Sequence, residues 1–151
     1  MTNDLSTIIQ AIVTDENDKS YFVQKQGETY RISKNPDVTL AIGDVVTGFV
    51  YENSDRKKIM TLDIPEVTNE TYGWATVTQV RKDLGVFVSI GLPDKDMVVS
   101  LDELPNLKEL WPKKNNRLYV TLIKDKKNRT WATMGDGTEL KAKSIRANLT
   151  L

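Results

Sequence analysis

The side chains that most often perform catalysis are scarce in this sequence, because it contains no histidine and no cysteine. Their absence removes the commonest general base, the commonest transition-metal ligand and all thiolate chemistry. The remaining candidates are carboxylates: Asp94 and Asp96 would share one face of an extended strand, and Asp102 and Glu103 follow them. A magnesium-dependent nuclease would need such a cluster. No positioned base accompanies it, so we expect no enzyme activity, no metal and no cofactor.

Basic side chains offer a different chemistry, phosphate binding, and they are unevenly distributed. The chain has a net charge of zero, with 21 Lys and Arg against 21 Asp and Glu. Residues 1–68 carry 7 basic and 11 acidic side chains, whereas residues 69–138 carry 11 and 9, and residues 139–151 carry 3 and 1. Because phosphate is attracted to positive charge, a nucleic-acid-binding face is expected in the second half.

The composition is that of a soluble globular protein, with 39% hydrophobic and 28% charged residues in 151. No apolar run approaches the roughly 20 residues that span a bilayer. The first ten residues include an acidic residue and no basic one, which is not the pattern of a signal peptide. Together with the lack of cysteine, this predicts a cytoplasmic protein.

Short strands with period-two alternation make up most of the chain, and they occur in two sets separated by a linker at 65–69. The first set is predicted at residues 7–14, 21–24, 28–33, 45–51 and 58–62. The second is predicted at residues 72–80, 85–90, 97–100, 117–124 and 129–134. Between its third and fourth strands, Pro105 limits residues 102–110 to one or two helical turns.

The two sets are related by a repeat with a constant offset of 72 residues. It aligns Val46, Gly48, Val50 and Asn53 with Leu118, Val120, Leu122 and Asp125. The repeat predicts an all-β protein of two consecutive five-stranded OB-fold barrels, at 1–66 and 67–136, with a C-terminal tail at 137–151. A single barrel or sandwich of eight to ten strands is the structural alternative, but it would not explain the repeat.

Several segments of both halves resemble the ribosomal S-one (S1) domain, an RNA-binding OB-fold repeat. In the second half these are residues 84–88 (LGVFV), 98–100 (VVS) and 124–129 (KDKKNR). In the first half they are residues 21–23 (YFV), 43–46 (GDVV) and 56–59 (RKKI). This resemblance implies that each half is an S1-like barrel.

Four motifs in order are more specific, and they resemble the conserved virulence factor B family of Gram-positive bacteria. They are residues 73–74 (GW), 81–88 (RKDLGVFV), 91–95 (GLPDK) and 110–112 (LWP). The family implies tandem S1 domains that bind RNA and influence gene expression. Its members continue into a further S1 domain and a winged helix, so this chain is expected to be the N-terminal two-domain portion.

The resemblance also implies a site, in which single-stranded RNA lies on the outer face of strands two, three and five. The family's binding positions fall on Leu84, Phe87, Val98, Asp125 and Arg129 of this sequence. Phe87 suits base stacking and Arg129 suits phosphate or base contact. Leu84 and Val98 stand where the family has an aromatic residue and a histidine, which predicts weaker or altered RNA binding.

Further candidates flank these positions. Arg81 and Lys82 precede Phe87 in a loop, Lys95 and Lys127 are rim cations, and Trp131 follows Arg129 in the same strand. Each candidate has a structural alternative, since Phe87 would equally suit the barrel core and Trp131 would suit packing beneath the tail. Trp74 and Trp111 are expected to pack in the core or between the barrels.

The first half offers residues in comparable places, namely Tyr21, Phe22, Tyr30 and Lys58. Its net charge of −4 repels phosphate, so we expect that barrel to be structural or protein-binding. The leading hypothesis for the chain is an RNA-binding regulatory module. The competing hypothesis, favoured by Leu84, Val98 and the zero net charge, is a protein-interaction adaptor that has lost RNA binding.

Overall fold

The computed structural model describes residues 4–134, and almost all of their regular structure is β-strand. The chain divides into two compact units between Pro65 and Glu66. Each unit contains one closed five-stranded barrel, which confirms the predicted fold class and excludes a single larger barrel or sandwich. The predicted tail at 137–151 lies outside the described residues.

The first barrel has the strand order β1-β2-β3-β5-β4 and closes by pairing β4 with β1. All neighbours are antiparallel except β3 and β5, which run parallel. Its strands are β1 (Thr7–Glu16), β2 (Ser20–Lys25), β3 (Glu28–Ser33), β4 (Val45–Glu52) and β5 (Lys58–Thr61).

The second barrel repeats this topology. Its strand order is β10-β8-β7-β6-β9, and the parallel pair is now β8 and β10. The strands are β6 (Gly73–Arg81), β7 (Gly85–Ser89), β8 (Met97–Ser100), β9 (Arg117–Lys124) and β10 (Thr130–Thr133). Between β8 and β9 the chain forms two short 3-10 turns, Leu101–Glu103 and Lys108–Leu110, as the proline at 105 predicts.

Alternating side chains separate the interior of each barrel from its outer surface. In β7 the fully buried Val86 and Val88 point into the core, as Met97 and Val99 do in β8. The residues between them must therefore point outward. In the first barrel Val23, Ile32 and Met60 hold the corresponding interior places.

The first strand of each barrel is bent by a β-bulge, which sharpens its curvature so that it can pair on both sides. A threonine occupies the bulge in both copies, Thr14 in β1 and Thr78 in β6. Each hydroxyl oxygen lies near the carbonyl oxygen of a phenylalanine in the next strand, that of Phe22 at 3.5 Å and that of Phe87 at 3.4 Å. The repeat seen in the sequence thus extends to the local geometry.

Candidate nucleic-acid interface

The outer surface of the second barrel carries a row of three apolar side chains, Phe87, Val98 and Trp131, which we call the platform. Phe87 in β7 lies opposite Val98 in β8. Trp131 in β10 is adjacent to Val98, because the residues that follow them, Val99 and Ala132, are partners in the parallel pair. All three platform residues are partly exposed, whereas Val99 and Ala132 are fully buried.

The platform settles where two of the predicted site residues point. Phe87 projects from the barrel and does not fill its core, because both of its neighbours in β7 occupy the interior. Trp131 projects from the same surface, since the next residue, Ala132, is buried. The platform therefore spans strands two, three and five of this barrel, where aromatic rings are available for stacking against a flat ligand.

Beside the platform, Asp125 organises the turn between β9 and β10. Its Oδ1 atom accepts backbone N–H bonds from Lys127 at 2.8 Å and Arg129 at 2.9 Å. The backbone of Asp125 donates to the Arg129 carbonyl at 3.0 Å, and Asn128 adopts a left-handed conformation with φ of 63°. Because this carboxylate oxygen already accepts hydrogen bonds within the turn, the role of Asp125 is to position neighbouring residues.

The other oxygen of Asp125 joins the turn to the platform. Its Oδ2 atom accepts hydrogen bonds from the Trp131 indole at 3.0 Å and from the Arg129 Nε at 2.7 Å. The Arg129 guanidinium also lies 5.7 Å from the centroid of the Trp131 ring, which is within cation–π range. Asp125 thus orients both a ring and a cation at the edge of the platform.

These contacts change the acidity of Asp125. Hydrogen bonds from the Trp131 indole and from the backbone and guanidinium of Arg129 favour the charged carboxylate. They hold the pKa of the Asp125 carboxyl well below its usual range, against an opposing desolvation effect. The carboxylate is therefore charged at neutral pH, and it offsets part of the positive charge that Arg129 presents to a phosphate.

The remaining predicted cations lie in loops around the platform. Arg81 ends β6 and forms an ion pair with Asp83 at 2.8 Å, so its charge is partly neutralised. Lys82 and Lys127 are exposed in the β6–β7 and β9–β10 turns, and Lys95 is half-buried just before β8. These cations lie in the turns next to the platform strands and are separate from the platform itself.

Leu84 lies at the base of the β6–β7 turn and is half-buried. Its backbone N–H donates to the Arg81 carbonyl at 3.2 Å, and its own carbonyl accepts from the Leu101 backbone N–H at 3.0 Å. Leu84 precedes β7 and lies three residues from Phe87, about 10 Å along an extended chain. It therefore borders the platform and is not part of the row.

The carboxylates considered for metal binding have separate structural roles. Asp96 accepts from the Thr78 hydroxyl at 2.8 Å, and Glu103 accepts from Thr133 and from the Met134 backbone. Asp102 contacts the Ser100 hydroxyl at the first 3-10 turn. Within residues 4–134, no group of three or more acidic side chains is arranged to hold a metal ion.

The tryptophans outside the platform differ from each other. Trp111 is buried, 6% exposed, and its indole donates to the Pro105 carbonyl at 2.7 Å, which confirms its predicted packing role. Trp74 is 39% exposed on the outer surface of β6, so the prediction that it packs in the core is wrong. The sequence signal for this exposure is the alternation along β6, in which Ala75 and Val77 face the core and Trp74 faces the other side.

The first barrel has an equivalent row on its strands two, three and five. Phe22 pairs with Arg31, which in turn pairs with Ile59. The Arg31 guanidinium lies over the Phe22 ring, 5.4 Å from its centroid, so one face of that ring is already covered. Of the other residues predicted in comparable places, Tyr21 and Tyr30 are buried, and Lys58 forms an ion pair with Glu28.

Comparison with known families assigns both barrels. The model described as the CvfB first S1-like domain matches residues 72–133, and a model described as the S1 domain matches residues 7–63. The chain is therefore a tandem of two S1-like domains. No helix within residues 4–134 is long and apolar enough to cross a membrane.

Relatives that match 64–80% of the chain define its family. YitL of Bacillus subtilis strain 168 is 32% identical over 122 residues, 80% of this chain and 40% of that protein. Conserved virulence factor B of Staphylococcus epidermidis is 35% identical over 97 residues, 64% of this chain and 32% of that protein. The Staphylococcus aureus N315 protein of the same name is 30% identical over 111 residues, 72% and 36% of the two chains.

A solved structure agrees with these relatives. A multidomain protein with nucleic acid binding domains from Streptococcus pneumoniae TIGR4 superimposes with a TM-score of 0.85 and 47% sequence identity. The match covers 92% of this chain and 48% of that one, so the chain spans less than half of each protein compared. The chain belongs to the conserved virulence factor B family and corresponds to its N-terminal portion.

Proposed function

We propose that the chain binds single-stranded RNA on the outer surface of its second barrel, without catalysing a reaction. The observation that carries this proposal is the platform, in which Phe87 and Trp131 project outward from one surface formed by strands two, three and five. Stacking on such rings tolerates different sequences, because every base has a π-face, and contributes about 1–3 kcal/mol per base.

The surrounding groups support the same function. Arg129 lies against Trp131 and projects into solvent, with a side chain that is 62% exposed. Lys82, Lys95 and Lys127 add positive charge around the platform, which favours a polyanion. The S1-like assignment of both barrels and the nucleic acid binding domains of the pneumococcal relative agree with this proposal.

Binding of a fluorescently labelled single-stranded RNA, followed by anisotropy, tests the proposal. We expect binding at low salt that weakens steeply as salt is raised, because phosphate contacts release counterions. A duplex of the same sequence is the matched control, and it should bind more weakly because its bases are not free to stack. No binding at low salt, or binding that does not respond to salt, would contradict the proposal.

The regulatory and cellular parts of the proposal rest on the family. We propose that RNA binding serves regulation of gene expression in the cytoplasm, and that the two compact units act as separate domains. An intact RNA after incubation with the protein and magnesium is the expected result for a binding module. Shortened products that require the protein would show instead that the chain is a nuclease.

A protein-interaction adaptor is the second candidate, and a specific observation favours it. Val98 gives the centre of the platform an aliphatic side chain with no polar group, while Asp125 pairs with Arg129. Such a surface also suits an apolar protein partner. A partner that is retained by the wild type after ribonuclease treatment, and lost by Phe87→Ala, would favour this function over RNA binding.

A further inference from the structure

A second group of aromatic side chains lies on the outer surface of β6 and β9, away from the platform strands. Tyr119 in β9 lies between Trp74 and Tyr72, with ring centroids 5.2 Å and 5.5 Å away. The Arg117 guanidinium lies 5.4 Å from the centroid of the Trp74 ring. We call Trp74, Arg117 and Tyr119 the lateral surface, and no part of the proposed platform function uses it.

The Trp74 ring is partly exposed on this surface, although the Arg117 guanidinium lies over it. It is 39% exposed, although it is packed edge-to-face against Tyr119. The indole N–H groups of Trp111 and Trp131 are bonded to protein oxygens. Within residues 4–134, the indole of Trp74 has no such acceptor, and only its backbone N–H is bonded, to Glu66. Trp74 therefore keeps exposed ring area beside Arg117 and Tyr119, and an indole N–H that can donate to a ligand.

The cation of the lateral surface, Arg117, and two cations in the turn before it differ from Arg81 and Arg129 in having no carboxylate partner within residues 4–134. Arg81 and Arg129 of this barrel are paired with Asp83 and Asp125. Arg117 forms no ion pair in the part of the chain that the structure describes, and Lys113 and Lys114 in the preceding turn are likewise exposed and unpaired there. The Glu66 carboxylate also lies nearby, and its Oε1 atom accepts from the Trp74 backbone N–H at 3.3 Å. Arg117 at the partly exposed Trp74 ring, with two further cations in the turn before β9, suits an anionic ligand with planar groups.

The lateral surface and the platform are connected along β6. Phe87 pairs with Gln79 of this strand, and Trp74 lies five residues earlier, about 16 Å along the strand. Thr76 projects outward between them, since Ala75 and Val77 on either side are fully buried. A strand of nucleic acid leaving Phe87 can therefore follow β6 to reach Trp74.

We propose that the lateral surface extends the RNA site, so that a longer single strand continues from the platform and stacks a base on Trp74 while Arg117 contacts phosphate. This inference rests on the proposed function and adds a second contact region to it. Charge complementarity favours RNA over a protein partner here. An apolar protein surface would bury the Arg117 guanidinium without an anion to replace its hydration.

Oligomer length separates the two contact regions. Single-stranded RNA of about 4 nucleotides should occupy the platform alone, whereas one of about 16 nucleotides should reach both regions, since these lengths bracket known OB-fold site sizes. Trp74→Ala should weaken binding of the longer oligomer at least about fivefold and leave the shorter one within about twofold. Arg117→Gln, at an exposed position that leaves the core intact, should reduce the salt slope for the longer oligomer by about 0.7.

Tryptophan fluorescence provides an independent readout. In a Trp131→Phe background the remaining tryptophans are Trp74 and the buried Trp111. The longer oligomer should quench the emission of this variant, and adding Trp74→Phe should abolish the quenching. Quenching that persists without Trp74 would contradict stacking at the lateral surface.

The possible failures can be distinguished. If Phe87→Ala weakens both oligomers and Trp74→Ala weakens neither, the platform stands and the lateral surface does not bind RNA. If Trp74→Ala weakens the longer oligomer and Phe87→Ala weakens neither, the lateral surface is supported and the platform proposal fails. If Trp74→Ala leaves RNA binding intact but abolishes self-association or ribonuclease-resistant capture of a protein, the lateral surface is a protein interface and the inference is overturned.

Discussion

Asn53 and Asp125 hold the same turn in the two barrels, 72 residues apart. The Oδ1 atom of each accepts backbone N–H bonds from the residues two and four positions later, at 2.8–2.9 Å. The residue three positions later is left-handed in both, Arg56 with φ of 62° and Asn128 with φ of 63°. The two copies differ in the other end of this side chain. Asp125 has a second carboxylate oxygen, which orients Trp131 and Arg129, whereas Asn53 has an amide nitrogen there.

This difference predicts a pH dependence for the second barrel. Because its pKa is depressed in the folded state, the Asp125 carboxyl stabilises the fold at pH values above its unfolded pKa of about 3.9. That stabilisation is lost as the pH falls through the lower, folded pKa. Asp125→Asn should therefore reduce the free energy of unfolding at neutral pH, and its difference from the wild type should shrink below about pH 4. Urea denaturation between pH 2 and 7 measures this.

The control for this experiment is Asp55→Asn, in the corresponding turn of the first barrel. The Asp55 side chain is exposed and accepts none of the hydrogen bonds that Asp125 accepts. Asp55→Asn should therefore leave the free energy of unfolding at neutral pH close to that of the wild type. A difference between wild type and Asp125→Asn that stays constant down to pH 2 would show that this carboxyl does not carry the effect.

The repeat made the fold predictable from the sequence, because each strand is short, alternating and bounded by turn residues. The offset of 72 aligned Val50 with Leu122 and Asn53 with Asp125, and both pairs occupy equivalent places in the two barrels. The side-chain direction of Phe87 was not predictable with the same certainty. Its strand has five residues, and valines on both sides read equally well as an alternating or a continuous apolar run.

The second prediction compares equivalent phenylalanines of the two barrels. Phe87→Ala should weaken RNA binding by about 1–3 kcal/mol, with little loss of stability because the ring lies outside the core. Phe22→Ala should have a smaller effect, since Arg31 covers one face of that ring and the first barrel is acidic. Anisotropy titrations of both variants at one salt concentration check this. Equal losses would show that both barrels contact RNA.

The third prediction concerns the cation at the platform edge. Arg129→Ala should weaken binding of all single-stranded sequences to a similar extent, because a phosphate contact does not read bases. The slope of log K against log salt should fall by about 0.7 for one lost contact. Lys19→Ala, an exposed cation of the first barrel, is the control and should leave the slope unchanged. A loss confined to particular sequences would show that Arg129 reads bases instead.

The fourth prediction tests the backbone that places Phe87. Gly85 begins β7 with φ of 144°, and a Cβ atom there would lie 2.0 Å from the Val99 carbonyl oxygen in β8. Gly85→Ala should therefore separate these strands and destabilise the barrel by about 3 kcal/mol, the upper end of typical overpacking costs. Gly91 also has a positive φ, but a Cβ atom added there would have nothing within 4 Å. The expected cost of Gly91→Ala is therefore about 1 kcal/mol. Thermal melts that rank the two variants in the opposite order would contradict this.

The site was less predictable than the fold, since it depends on contacts between strands that are distant in sequence. The resemblance pointed to Asp125 and Arg129, but only the structure shows that their side chains pair with each other and with Trp131. Trp74 was expected to be covered, because tryptophan is a large apolar residue, and its exposure depends on which side of β6 faces the core. Alternation with Ala75 and Val77 fixes that side.

The central claim, that the outer surface of strands two, three and five in the second barrel binds single-stranded RNA, is tested most directly by an NMR titration of the full chain. On adding a short single-stranded RNA, we predict that the largest backbone shift changes occur at Phe87, Val98, Arg129 and Trp131. The buried neighbours and the first barrel should change little. Shift changes that leave these four residues unaffected, or no changes at saturating RNA and low salt, would contradict the account.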